Sequence, residues 1–159
     1  MSGFLFGSTI GTRDKRHKTM DIDIRYDCLA IDWPKVSETL RRVGMAHHAP
    51  EVHRKAFEAS HTTVFAYHDG RLIGFGRAIS DGIYQGAVYD VAIVPEWQGK
   101  GIGTMLLKAI LERLEGCNVI LYAAPGKEGF YRKFGFDRMK TGLARFRNPE
   151  QMKERGFTE

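Results

Sequence analysis

The sequence is short of cysteine, of proline and of long apolar runs, and each shortage removes a class of protein. Cys28 and Cys117 are the only cysteines in 159 residues, and they stand far apart with no metal-ligand spacing. A disulfide scaffold and a cysteine-based zinc site are therefore closed to this chain. Both read as buried, reduced thiols, which places the protein in the cytoplasm as an expectation. No run approaches the roughly 18–20 apolar residues of a membrane helix. The patch Gly3-Phe4-Leu5-Phe6-Gly7 is too short for a signal peptide, and the basic residues follow it. No repeat and no low-complexity block is present. What remains is 43% apolar and 27% charged, the balance of one ordinary globular domain.

Excess charge of one sign is also scarce once it is located. The net charge is +5, of which Arg13, Lys15, Arg16 and Lys18 against Asp14 supply +3 within residues 1–20. That segment reads as a mobile leader. The rest of the chain holds +2, too little for the basic surface of a nucleic-acid binder, so neither nucleic acid nor membrane is an expected partner.

Periodicity predicts an α/β domain over 21–147. Asp21–Cys28 alternates like a strand. Asp32-Trp33-Pro34 opens a helix that runs to about Arg42, and Glu51–Ser60 forms a second. Thr62–Tyr67 and Leu72–Ile79 are strands joined by an Asp69-Gly70 hairpin turn. Ala87–Val94 is a further strand. Ile102–Leu114 repeats its apolar residues at helical spacing and stops at Gly116. Val119–Ala123 is a strand, Lys127–Lys133 a short helix, Leu143–Arg147 a closing strand and 148–159 a polar tail. The sheet is mixed and mostly antiparallel, with helices on both faces and one parallel crossover.

Between a strand and a helix lies Pro95-Glu96-Trp97-Gln98-Gly99-Lys100-Gly101-Ile102-Gly103-Thr104. Alternate glycines let the backbone approach a ligand closely, and the helix that follows adds its first-turn N–H donors and its dipole. This is a phosphate cradle of neither familiar type. Lys100 is followed by Gly101, where a Walker loop needs Ser or Thr. Thr104 stands where a dinucleotide fingerprint needs its third glycine.

Gln98-x-x-Gly101-x-Gly103 on a strand–loop–helix resembles the acetyl-CoA signature of the GCN5-related N-acetyltransferases. Val91-x-Ile93-x-Pro95 is similar to that family's fourth strand, and Gly129-Phe130-Tyr131-Arg132-Lys133-Phe134-Gly135-Phe136 to its aromatic element after the fifth. The matching order of elements extends the resemblance from about Asp21 to Arg147. It implies acetyl-CoA as co-substrate, no metal, and direct attack of an amine on the thioester. The backbones of Ile93 and Val94 would hold acetyl and pantetheine. Gln98, Gly99, Lys100, Gly101, Ile102, Gly103 and Thr104 would hold the pyrophosphate region, with Phe130 packing beside them. Tyr131 matches the family's tyrosine acid, since a phenol is protonated at neutral pH.

The resemblance breaks at the base. The histone-modifying branch has a glutamate where this chain has Ala87, and the histidines of the arylalkylamine branch have no counterpart at Gln85 or Ala87. Asp90 matches an acidic position of small-amine acetyltransferases, which leaves it either a catalytic partner of the amine or a structural carboxylate. The family lines its acceptor pocket with the segment between the first two helices, so His47 and Glu51, flanked by Tyr84 and Tyr89, are the expected acceptor contacts. His47, His48 and His53 lack a metal spacing. A small-molecule amine is the expected acceptor, with a peptide amine or a non-catalytic CoA sensor as alternatives. Family members often form homodimers through their last strands.

Overall fold

The computed structural model describes residues 20–159; the leader read into 1–20 lies outside them apart from exposed Met20. The elements run β1 (Asp23–Arg25), α1 (Trp33–Arg42), α2 (Pro50–Glu58), β2 (Thr62–His68), β3 (Arg71–Ser80), β4 (Gln85–Ile93), a short 3-10 turn (Pro95–Trp97), α3 (Ile102–Glu112), β5 (Asn118–Ile120), α4 (Glu128–Arg132) and α5 (Pro149–Glu154). One five-stranded sheet has the order β1-β2-β3-β4-β5. Its pairs are antiparallel except the parallel β4–β5 pair, which α3 connects.

Alternation along β2 builds two cores, one on each face of the sheet. Val64 and Ala66 join Leu106, Leu107 and Ile110 of α3 in one. Phe65 and Tyr67 join Val36 and Leu40 of α1 and Phe57 of α2 in the other. The rings of Phe57, Phe65 and Phe75 are fully buried in the second core and meet at centroid distances of 5.5 and 5.9 Å. Caps fix the helices locally. Asp32 accepts the Lys35 N–H at 2.9 Å to start α1, and proline occupies the first turn where its missing N–H costs nothing.

Two expectations fail at the C-terminal end. Leu143–Arg147 forms no strand, and Leu143 is fully exposed. The sheet ends at β5, which is only three residues long and offers a short ladder to any further strand. The polar tail is instead partly folded: Asn148 accepts the Gln151 N–H at 3.2 Å, Pro149 takes the first turn, and α5 follows. The Arg155 guanidinium then donates to Gly44 O at 2.8 Å, which ties this end to the α1–α2 connection. The cysteines are free as expected but half-buried rather than buried.

Candidate active site

β4 carries the site because its two ends differ. It pairs with β5 only at Gln85, Gly86 and Ala87. From Val88 to Ile93 its outer edge has no strand beside it, and the chain after β5 leaves the ladder. The Val94 N–H donates to Ile73 O at 2.9 Å, so the Ile93 N–H, one residue earlier, points away from β3 into the opening. Val94 has its N–H taken by Ile73, and its carbonyl accepts the Trp97 N–H at 2.8 Å. The expectation that Val94 offers a backbone N–H to an extended ligand is corrected. The Ile93 carbonyl is held by Gln98 Nε2 at 3.3 Å.

Past the 3-10 turn the chain enters α3 through glycines in left-handed conformation, Gly99 at φ 73° and Gly101 at φ 83°. A Cβ at either would meet nothing within 4 Å, so both backbones face open space. Gly101 caps α3 without a side-chain hydrogen bond, and the first-turn N–H groups of Ile102, Gly103 and Thr104 have no carbonyl one turn earlier. Gly103 serves another purpose: a Cβ there would press on Ile93 Cδ1 at 3.2 Å and touch the Phe130 ring at 3.5 Å. It lets α3 and α4 close on β4. Lys100 Nζ sits 4.6 Å from the centre of the Trp97 ring, a cation held at the rim of the loop. Free donors, positive dipole and a nearby ammonium form a donor set for a phosphate-bearing ligand such as CoA.

Tyr131 on α4 packs against Phe130 and Phe136 at 5.0 and 6.1 Å and borders the α3 core. Burial pushes its phenol above the ordinary tyrosine value, which keeps the proton on at neutral pH. Among the described residues no group of three or more His, Cys, Asp and Glu is placed to hold a metal ion, and no helix is long and apolar enough to cross a membrane.

The other face of β4 presents side chains. Opposite Gly76 of β3, β4 places two residues, Asp90 and Val91, in a β-bulge, and Asp90 takes φ 54°. Tyr89 and Asp90 therefore both reach the α2 face. Arg77 Nε holds Asp90 Oδ2 at 2.6 Å, with the two side chains 15% and 21% exposed. The same guanidinium donates to Ser60 Oγ at 3.2 Å and stacks 5.3 Å from the Tyr89 ring. His53 is buried nearby and accepts the His48 N–H on Nε2 at 2.9 Å. Burial pushes its imidazole below the ordinary histidine value, with the Asp90 carboxylate opposing. Beyond Tyr89 lies Tyr122 at 6.0 Å, itself flanked by Phe146 at 5.7 Å and Phe157 at 5.8 Å.

Of the four expected acceptor contacts only Tyr89 stands beside Asp90. Tyr84 is at the closed end of β4, where its carbonyl accepts the Asn118 N–H at 2.8 Å. Five strand residues, roughly 16 Å, separate it from Tyr89. Glu51 is exposed and turned to Arg54 at 2.6 Å, which holds its carboxyl below the usual range. His47 is exposed on the α1–α2 connection, with Nδ1 3.4 Å from Met45 O. Arg77, Tyr122, Phe146 and Phe157 were not anticipated. Only Arg77 left a signal, as the one charge inside the apolar run Leu72–Ile79.

The Acetyltransferase (GNAT) domain profile matches residues 59–138, half of the chain. The chain belongs to the GNAT acetyltransferase family. Among its relatives is the serotonin N-acetyltransferase 2, chloroplastic, of Oryza sativa subsp. japonica, 32% identical over 81% of this chain and 70% of that one. An uncharacterized N-acetyltransferase ycf52 of Gracilaria tenuistipitata var. liui is 34% identical over 72% of this chain and 60% of its own length. The chain spans between 35% and 70% of the first four curated relatives. A probable acetyltransferase from meticillin-resistant Staphylococcus aureus superposes with a TM-score of 0.71 at 25% identity, covering 80% of this chain and 99% of that one.

Proposed function

We propose that the chain transfers an acetyl group from acetyl-CoA to the primary amine of a small molecule, by direct attack with both substrates bound. The carrying observation is the opening beside Val88–Ile93, bordered by the unpaired Ile93 N–H and by the glycine loop at the uncapped start of α3. An extended ligand can add to that strand edge while the α3 donors hold its phosphates. Acetyl-CoA supplies the activated acyl group. The Ile93 N–H faces the thioester oxygen as charge develops on it, which is where a fixed donor gains most. Tyr131, held protonated, gives its proton to the departing sulfur. Asp90 has one carboxylate oxygen engaged by Arg77, and the other accepts a hydrogen bond from the incoming amine and passes to water the proton that the nitrogen sheds as the C–N bond forms and the C–S bond breaks.

The ring set Tyr89, Tyr122 and Phe157 suits an aryl or alkyl amine, and the rice relative is named for an aromatic amine. A peptide amine is the second reading, favoured by the openness of this face: Tyr122 is 54% exposed.

Thermal unfolding with acetyl-CoA, NAD and ATP tests the cofactor assignment first. A concentration-dependent rise in midpoint with acetyl-CoA alone is expected, because a ligand that binds the native state stabilises it. An amine panel read by thiol release then tests turnover. No shift at high acetyl-CoA removes the basis of every catalytic role above.

A further inference from the structure

Between the α1–α2 connection and α5 lies a cavity of about 430 Å³, bordered by Arg41, Met45, His47, His48, Gln151 and Arg155. No carboxylate lines it. Its two arginines, on α1 and just after α5, border the same cavity. Arg42, next to Arg41 on α1, is paired with Glu96; Arg54 is paired with Glu51 and Glu58, and Arg77 with Asp90. Among the described residues neither Arg41 nor Arg155 forms an ion pair, although Glu38, one turn before Arg41 on α1 and paired with Lys35, feels the charge of Arg41. Arg155 uses one nitrogen on Gly44 O and keeps its remaining donors. Two guanidiniums bordering one cavity that no carboxylate lines offer bidentate donor forks to an anion placed between them.

The cavity also connects to the site. The Arg155 guanidinium lies 5.3 Å from the Phe157 ring, Phe157 contacts Tyr122, and Tyr122 contacts Tyr89 beside Asp90. An acceptor lying along these rings with its amine at Asp90 would bring its far end to Arg155. We infer that this cavity binds an anionic group, carboxylate or phosphate, at the end of the acceptor remote from the amine. The acceptor class is thus an amine with a distal negative charge. This inference rests on the acetyl-transfer reading for its use, and on the arginines alone for its binding.

The test uses two matched pairs with an unchanged amine: para-carboxyphenethylamine against para-carbamoylphenethylamine, and tyramine phosphate against tyramine. Binding of each to the full chain is measured by calorimetry in the presence of CoA, and kcat/KM with acetyl-CoA. The charged member of at least one pair is expected to bind about tenfold tighter at low salt, with the advantage shrinking as salt rises. The pair showing the larger ratio tells carboxylate from phosphate. Arg41→Gln, which removes no internal bond among the described residues, is expected to abolish that ratio while leaving the neutral amines unchanged. Arg155→Gln is expected to do the same, and its thermal midpoint shows whether loss of the Gly44 contact unfolds α5. Equal binding within both pairs, or a loss in Arg41→Gln shared by neutral and charged members, overturns the inference. Charge-selective binding without turnover of any amine leaves the anion site standing and defeats the acetyl-transfer reading instead.

Discussion

The two sides of β4 present different kinds of group. On the α3 side the groups available are backbone: the Ile93 N–H, the left-handed Gly99 and Gly101, and the first turn of α3. On the α2 side they are side chains gathered from β3, β4, the chain after β5 and the C-terminal segment. A backbone cradle depends on where the chain goes, so almost any residue without a forbidding Cβ serves. A side-chain wall depends on which residues arrive, so it can be rebuilt without disturbing the fold. The first suits a constant donor substrate and the second a variable acceptor.

Substitutions can break this division. The largest effect is expected from Tyr131→Phe, which removes the proton donor and nothing else. A fall in kcat of about 10²–10⁴ is expected, with little change in either KM or in thermal midpoint. The raised phenol value sets the pH dependence. Tyr131 is active while protonated, so the wild-type alkaline limb should lie above the ordinary phenol value of about 10, and the variant should lack that limb. The same shift means burial favours the neutral phenol. Its stabilising contribution is complete below the unfolded value and disappears as pH rises through the folded one.

Arg77→Met should act on stability. It leaves the Asp90 carboxylate part-buried without its partner, at a cost of about 3 kcal/mol by urea unfolding. Arg77→Met with Asp90→Asn should recover part of that loss, whereas equal stability in the two variants would mean the pair holds nothing in place. Gly101→Ala sharpens the backbone side. The added methyl enters open space but must adopt φ 83°, at about 1–2 kcal/mol. The KM for acetyl-CoA should rise roughly tenfold while the KM for the amine holds. The smallest effect belongs to Phe157→Ala, which removes an edge-on contact with Tyr122 worth about 0.5–1.5 kcal/mol together with the contact to the Arg155 guanidinium. Acceptor KM should rise a few-fold with acetyl-CoA KM unchanged. A change in acetyl-CoA KM of the same size would erase the distinction between the two sides.

The same division explains what could be read from the sequence. The glycine loop, Tyr131 and the strand before them lie close together in the chain, and their spacing carries their geometry. The acceptor wall brings together Arg77, Tyr89, Tyr122, Phe146 and Phe157, which no local pattern links. Glu51 and Tyr84 were expected there because they are near in sequence to the right segments. Glu51 turned to Arg54 one helical turn away, and Tyr84 fell on the paired end of β4. The helix α5 was legible in retrospect, since Asn148-Pro149-Glu150 holds a cap, a first-turn proline and a first-turn acid. Val94 was misassigned because the loop motif marks a strand end without saying which amides the neighbouring strand has taken.

The bulge at Asp90 works as a frameshift in the pleat. Before it, Val88 faces α3 and Tyr89 faces α2; after it, Val91 and Ile93 face α3 again although their parity has changed. One supernumerary residue thus writes two consecutive polar-face letters into a strand whose other side stays apolar. Removing that residue would restore plain alternation, leaving Val91 and Ile93 toward α3 and Ala92 toward α2 while taking the carboxylate out of the α2 face. Straightening the strand with the residue retained is what would invert its downstream half, turning Val91 and Ile93 toward α2 and Ala92 toward α3, so the kink at Asp90 keeps the frame of everything after it.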